Sequence, residues 1–180
     1  MEPEKTTLKQ TFKEISESFL FKDFIKQNPD AELCAGFFVL DFFGNDNKKS
    51  LDYRVGEKVF SFSINELGKI KMNEDKLVNS ENRKFPELKK INPGVRFDLD
   101  EAESTAKIKT LDEGIASKFS KIIAVLQKYK SEETNEEEKQ IWNLTCMLEG
   151  LIIIHILIDS DTGEIIKFER KSMMDLIRKK

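Results

Sequence analysis

Ile141 to Arg170 reads IWNLTCMLEGLIIIHILIDSDTGEIIKFER, three apolar runs of strand length cut by two polar turns that each contain a glycine. The first break is Glu149-Gly150 and the second is Asp159 to Glu164. Runs of this length, rich in β-branched residues and bounded by Gly, Asp and Ser, predict strands, and short glycine turns between them predict an antiparallel meander. The middle run, Leu151 to Ile158, has eight residues, far short of the roughly 20 that a membrane helix needs. In the second turn, aspartates bond to their own backbone and Gly163 supplies a positive φ, which is the chemistry of a hairpin loop.

Upstream, KSEETNEEEKQ (130–140) is a solvated, glutamate-rich loop. Before it, Ile115, Phe119, Ile122, Leu126 and Tyr129 recur at spacings of three and four, which predicts a helix with one apolar face. An earlier helix is expected to start in FDLDEAEST, where Asp98 with Glu101, or Asp100 with Glu103, has capping-box spacing. Downstream of the meander, Met173, Met174, Leu176 and Ile177 are assigned to a short terminal helix. Lys167 to Lys180 carries six basic and two acidic residues, read as that helix's charged face.

The N-terminal part has the same ingredients. Leu8, Phe12, Ile15 and Phe19 lie on one helical stripe, continued at a shifted angle by Phe21, Phe24 and Ile25, so either two short helices or one bent helix fits. Asn28-Pro29-Asp30 ends it. Glu32 to Phe43 is apolar on both alternating faces and reads as a strand covered on two sides. LDYRV and KVFSFSI flank Gly56-Glu57 as a hairpin, and KIKM follows the turn at Gly68 as a last strand. Residues from Asn73 to Asn92 are polar and lysine-rich, with FPELKKINPG carrying two prolines, and read as a connection. Gly56 and Gly68 then stand where Gly150 and Gly163 stand later in the chain. The fold expected is therefore α+β with two similar halves, each with helices packed on a small antiparallel sheet: residues 1–78, a linker over 79–97, and residues 98–180.

The composition fits an ordered protein. The 180 residues include 39% hydrophobic residues and fourteen phenylalanines, enough for a core. Lys+Arg 30 against Asp+Glu 33 gives a net charge of -3, so no global field points to nucleic acid. No apolar leader is visible in MEPEKTTLKQTFKE, no run can insert in a membrane, and Cys34 and Cys146 both sit in apolar stretches outside any ligand spacing. A cytoplasmic protein with buried thiols is the expectation.

From FDLDEAESTAKIK through IWNLTCML to ILIDSDTGEIIKF, the second half resembles PepSY-type domains: an acid-capped helix containing alanine, a strand bearing an aromatic residue, and a strand ending in an aspartate followed by T-G-E. The first half matches only in outline, with INELGKI in place of D-x-x-T-G-E. The resemblance implies a small α+β module with a regulatory or inhibitory role, and tandem inhibitors of the β-lactamase-inhibitor type are similar in plan.

His155 is the sole histidine, so any histidine chemistry must use it. If the Glu149-Gly150 turn pairs Leu148 with Leu151, Cys146 and His155 share a face as diagonal neighbours roughly 7 Å apart, and a thiol-imidazole pair becomes conceivable. A calcium site would draw on Asp159, Asp161 and Glu164, but apolar Ile165, Ile166 and Phe168 take over where further ligands should follow. No phosphate-cradling glycine loop, GxSxG, HExxH or CxxC is present. No catalytic residue, cofactor or metal is therefore assigned. The function expected is a non-enzymatic binding or regulatory protein that presents a sheet face or edge to a protein or peptide, with Tyr53, Arg54, Trp142, Met173 and Met174 as candidate partner surface. The alternatives are a structural or homo-oligomerising protein and, behind it, an enzyme using Cys146 and His155.

Overall fold

The computed structural model describes residues 5–76, 88–133, 136–172 and 174. The N-terminal stripe forms two helices, α1 (Leu8–Glu17) and α2 (Phe19–Gln27). Ser18, in extended conformation, separates them: its hydroxyl donates to the Ile15 carbonyl and accepts from Phe21 N–H, so one side chain ends α1 and caps α2. The break rotates Phe19 off the stripe. Leu8 and Ile15 are fully buried, whereas Phe19 is 85% exposed.

Four strands follow, β1 (Glu32–Asp41), β2 (Lys48–Val55), β3 (Lys58–Ile64) and β4 (Ile70–Lys76). Asn73 to Lys76, expected in the connection, thus belong to a strand. Residues 77–87 of the connection lie outside the described residues. Beyond them the chain is tied to the sheet by Ile91 N–H to the Leu33 carbonyl and Phe97 N–H to the Ser160 carbonyl. Helix α3 (Leu99–Asp112) starts at the expected Asp98, with Glu101 completing the capping box.

The helix expected over Ile115 to Tyr129 is instead strand β5 (Phe119–Tyr129). Ile122, Leu126 and Tyr129 fit a period of 3.6, but Ile122, Ala124 and Leu126 fit a period of two equally well, and these three are fully buried on one face. The strand wins because β5 finds partners on both sides, β1 and then β6 (Lys139–Leu148). The meander continues through β7 (Ile152–Asp159) to β8 (Ile165–Ser172).

This one strand changes the architecture. Through the antiparallel β1–β5 pair all eight strands join a single antiparallel sheet in the order β4-β3-β2-β1-β5-β6-β7-β8. The expectation of two similar halves, each with helices on its own small sheet, is corrected accordingly. The protein is α+β, but it has one sheet, with three short helices among the described residues.

Register fixes the two faces of the sheet. One row runs Met72, Phe62, Leu51, Gly36, Leu126, Trp142, Ile158, Ile165 from edge to edge. It faces the helices: Phe21 and Phe24 of α2 stack on Tyr53 and Phe62, and Leu8 of α1 lies against the Gly36 position. Lys109 of α3 stands over the Phe168 ring, which shares this face. The helices and the main core cluster occupy one side; on the other side no helix packs among the described residues, yet Val39, Val59, Ile141 and Leu157 are buried there too.

Candidate functional site

The turn before β7 decides what happens to the conceivable thiol-imidazole pair. Gly150 and Leu151 both adopt positive φ, 85° and 60°, so Leu151 stays in the turn and Leu148 pairs with Ile152. Relative to pairing Leu148 with Leu151, the register moves by one residue, and a shift of one sends every side chain of the strand to the opposite face. Cys146 now lies opposite Ile154 and His155 opposite Thr145. Cys146 faces the core at 0% exposure, and burial pushes its thiol up to about 12. His155 faces the other side and shares a 2.7 Å hydrogen bond with Asn143 Oδ1. Cys34 sits at a β1 bulge, its thiol donating to the Asp52 carbonyl and pushed up to about 12 by burial.

The DSDTGE turn is built as a hairpin loop. Asp159 is 6% exposed and its Oδ1 accepts from Asp161 N–H and Thr162 N–H, while Gly163, at φ 73°, donates its N–H to the Asp159 carbonyl. Among the described residues no group of three His, Cys, Asp or Glu side chains is placed to hold a metal ion. A polar depression of about 270 Å³ beside the turn is lined in part by Asn92, Lys128, Gln140 and Asp161.

The residues expected on a partner surface are scattered. Trp142 is fully buried, with Nε1–H donating to the Phe97 carbonyl, and Tyr53 is buried under α2. Neither reaches a surface. Arg54 pairs with Glu32 across β1 and β2 at 3.2 Å. Met174 is 51% exposed, while Met173 and residues 175–180 of the expected terminal helix lie outside the described residues. Arg170 to Ser172 extend β8.

What the register does assemble is the helix-free face. One complete row on it reads Lys71, Ser63, Ser50, Phe37, Val125, Asn143, Leu157, Lys167, spanning all eight strands. The adjacent row carries Val39, Ile123, Thr145, His155 and Glu169. The centre of this face is apolar and half-buried at Phe37, Ile123 and Val125, with Met147 and Ile153 alongside on β6 and β7. Polar groups flank it. On one side are Ser50, Ser61 and Ser63, with Asp52 held above its usual range by burial. On the other are Asn143, Thr145 and His155, then Lys167, Glu169 and Lys171 on β8. Burial and the neighbouring Lys167 depress His155, more than Glu169 raises it, so the imidazole is neutral near pH 7.

Phe37 and Val125 gave no sequence signal of their own. Glu32 to Phe43 alternates apolar on both faces, so which face the helices leave uncovered depends on where α1 to α3 dock. The one available hint was the serine row of KVFSFSI, which marks the face away from the helices.

No protein-family model matches this chain, and no curated protein matches it. Among solved structures, the crystal structure of a "putative lipoprotein" from Clostridium difficile 630 superimposes with a TM-score of 0.55 at 13% identity, over 84% of this chain and 90% of that one. At this identity the likeness shows the shared fold. It also corrects the expectation of a cytoplasmic protein, which rested on the lack of a visible apolar leader or membrane-length run and on two cysteines in apolar stretches: a chain of this fold is described as a lipoprotein, so the fold does not assign the molecule to the cytoplasm.

Proposed function

We propose that the protein is a non-enzymatic binding or regulatory module that recognises a protein or peptide through the helix-free face of its sheet. The observation that supports this reading is the layered asymmetry of the sheet. Three helices seal one face into a core, and the opposite face keeps Phe37, Ile123, Val125, Met147 and Ile153 half-buried beside buried Val39 and Leu157, with serines on one flank and Asn143, Thr145 and His155 on the other. An apolar centre with a polar rim is the anatomy of a protein-recognition surface. A sheet face also holds its side chains on rigid backbone, which lowers the entropic cost of association.

The PepSY-like resemblance forms part of this proposal. It is supported by the acid-capped α3, by β6 with its tryptophan and by the D-x-x-T-G-E turn, which follow one another in the implied order. A regulatory or inhibitory role would then act by covering the partner with this face.

The test places a photo-crosslinking phenylalanine at position 125 and, separately, at Leu111 on the outer side of α3, which is exposed. Irradiation in the native cell is expected to trap one discrete partner from position 125 and none from position 111. Adducts from position 111 alone would overturn the proposal.

A further inference from the structure

We infer that β8, the edge strand bordering the helix-free face, docks an acidic extended segment of the partner as a ninth strand of the sheet. The inference rests on the proposed binding role and names the chemistry of what is bound. Among the described residues β8 ends the sheet and no strand pairs with its outer side, which leaves that side of its backbone ladder for a further strand. The strand is cationic: Lys167, Arg170 and Lys171 against Glu169. The opposite edge, β4, is balanced in sequence, Lys71 and Lys76 against Glu74 and Asp75.

The arrangement of these charges is specific. Lys167, Glu169 and Lys171 alternate along one face, and among the described residues Glu169 is the carboxylate that serves both ammonium groups, at 3.3 Å and 3.7 Å. Two cations share one carboxylate, so each retains capacity for another. Each lysine stands two residues from Glu169 along the strand, roughly 6.7 Å, a spacing that any strand laid beside them shares. An antiparallel segment with a residue opposite Glu169 puts its neighbours two before and two after directly opposite Lys171 and Lys167. The complementary pattern is acid, any, base or polar, any, acid. The residue opposite Phe168 falls on the other face, beside a half-buried ring, and favours an apolar side chain. A charged edge also deters pairing with neutral, apolar strands. The same lysines therefore select against most strands while admitting an acidic one.

The probe is a fluorescein-labelled peptide, Thr-Val-Glu-Val-Lys-Val-Glu-Val-Thr, with Thr-Val-Lys-Val-Glu-Val-Lys-Val-Thr as its charge-inverted counterpart, titrated with the full chain and read by anisotropy. The acidic peptide is expected to bind about tenfold more tightly, from three favourable cross-strand pairs made in place of three like-charge contacts. The preference is expected to invert for the chain carrying Lys167→Glu, Glu169→Lys and Lys171→Glu. N-methylation at alternate residues blocks one edge of the peptide, and one of the two methylated phases is expected to lose binding. Equal affinities, no binding by either peptide, or binding that survives both methylated phases would overturn the inference. Failure here with crosslinks from position 125 intact would leave the binding face standing. Loss of those crosslinks would remove the binding role itself.

Discussion

The carboxylate of Asp98 serves the N-termini of two helices that lie ninety residues apart in the chain. Its Oδ1 accepts from Leu8 N–H at 2.6 Å and its Oδ2 from Lys9 N–H at 3.1 Å, while the same group caps α3, whose Glu101 returns a bond to Asp98 N–H at 2.9 Å. One buried acid therefore ties α1 to α3 across the sheet and satisfies amides that helix geometry leaves without partners.

Removing that carboxylate should cost more than an ordinary cap. Asp98→Ala is expected to destabilise by about 2–4 kcal/mol, one cap's usual loss for each helix, because buried N–H groups are left unpaired. Asp98→Asn keeps one accepting oxygen and should fall about halfway. Urea denaturation reads both, and a loss below about 1 kcal/mol for the alanine would show that the link between the helices carries no weight.

Gly163 and Gly68 separate backbone strain from steric contact. Their φ angles are 73° and 74°, but a Cβ at Gly163 would lie 2.6 Å from the Phe97 ring, whereas nothing is within 4 Å of one at Gly68. Gly68→Ala should cost about 1–2 kcal/mol, the left-handed penalty alone. Gly163→Ala should cost at least about 1 kcal/mol more by overpacking, and the added Phe97→Ala change should remove that excess despite its own cost. Equal losses for the two glycines would contradict the contact.

The raised thiols make a kinetic prediction. Cys34 and Cys146, both pushed to about 12 and buried, should react slowly with a disulfide reagent at pH 7.5 and quickly in denaturant. Since His155 projects to the opposite face from Cys146, His155→Ala should leave the native labelling rate unchanged. A fall in rate would restore the pairing that the register excludes.

His155 gives a pH dependence of defined sign. Its folded-state value is depressed, by burial first and then by Lys167, below the usual value of about 6.5 that it regains on unfolding. The unfolded chain therefore binds the proton first, and stability falls as pH drops through about 6.5 toward the folded value. Carboxylates add their own trends at lower pH, so the observable is the difference from His155→Gln. The wild type should lose stability relative to that variant between pH 7.5 and 5, and an NMR titration should place the imidazole below its free value.

Local chemistry was legible and long-range pairing was not. The α3 start could be read because Asp98 and Glu101 carry their capping bonds within one turn. The DSDTGE turn could be read because Asp159 bonds amides only two and three residues on. β5 was misread because its apolar positions satisfy both periods, and the choice was made by pairing of Leu126 with Gly36, ninety positions earlier. A local signal existed in the β-branched run Ile122, Ile123 and Val125. The face of His155 depended on a leucine at positive φ, which composition does not announce because that region ordinarily selects glycine or asparagine. The binding face was hidden for a related reason. Phe37 and Phe38 are alike in sequence, and only the docking of the helices makes one core and the other surface.

The central claim, that the helix-free face is the working surface, is tested most directly by quantitative affinity capture with the wild-type chain and two single variants. Val125→Lys places a charge in the centre of that face, and Phe19→Ser removes a phenylalanine of the helical side that is 85% exposed. A partner lost with Val125→Lys and retained with Phe19→Ser, both variants remaining folded by circular dichroism, is the predicted result. A partner retained by Val125→Lys and lost with Phe19→Ser would contradict the account and move recognition to the helices.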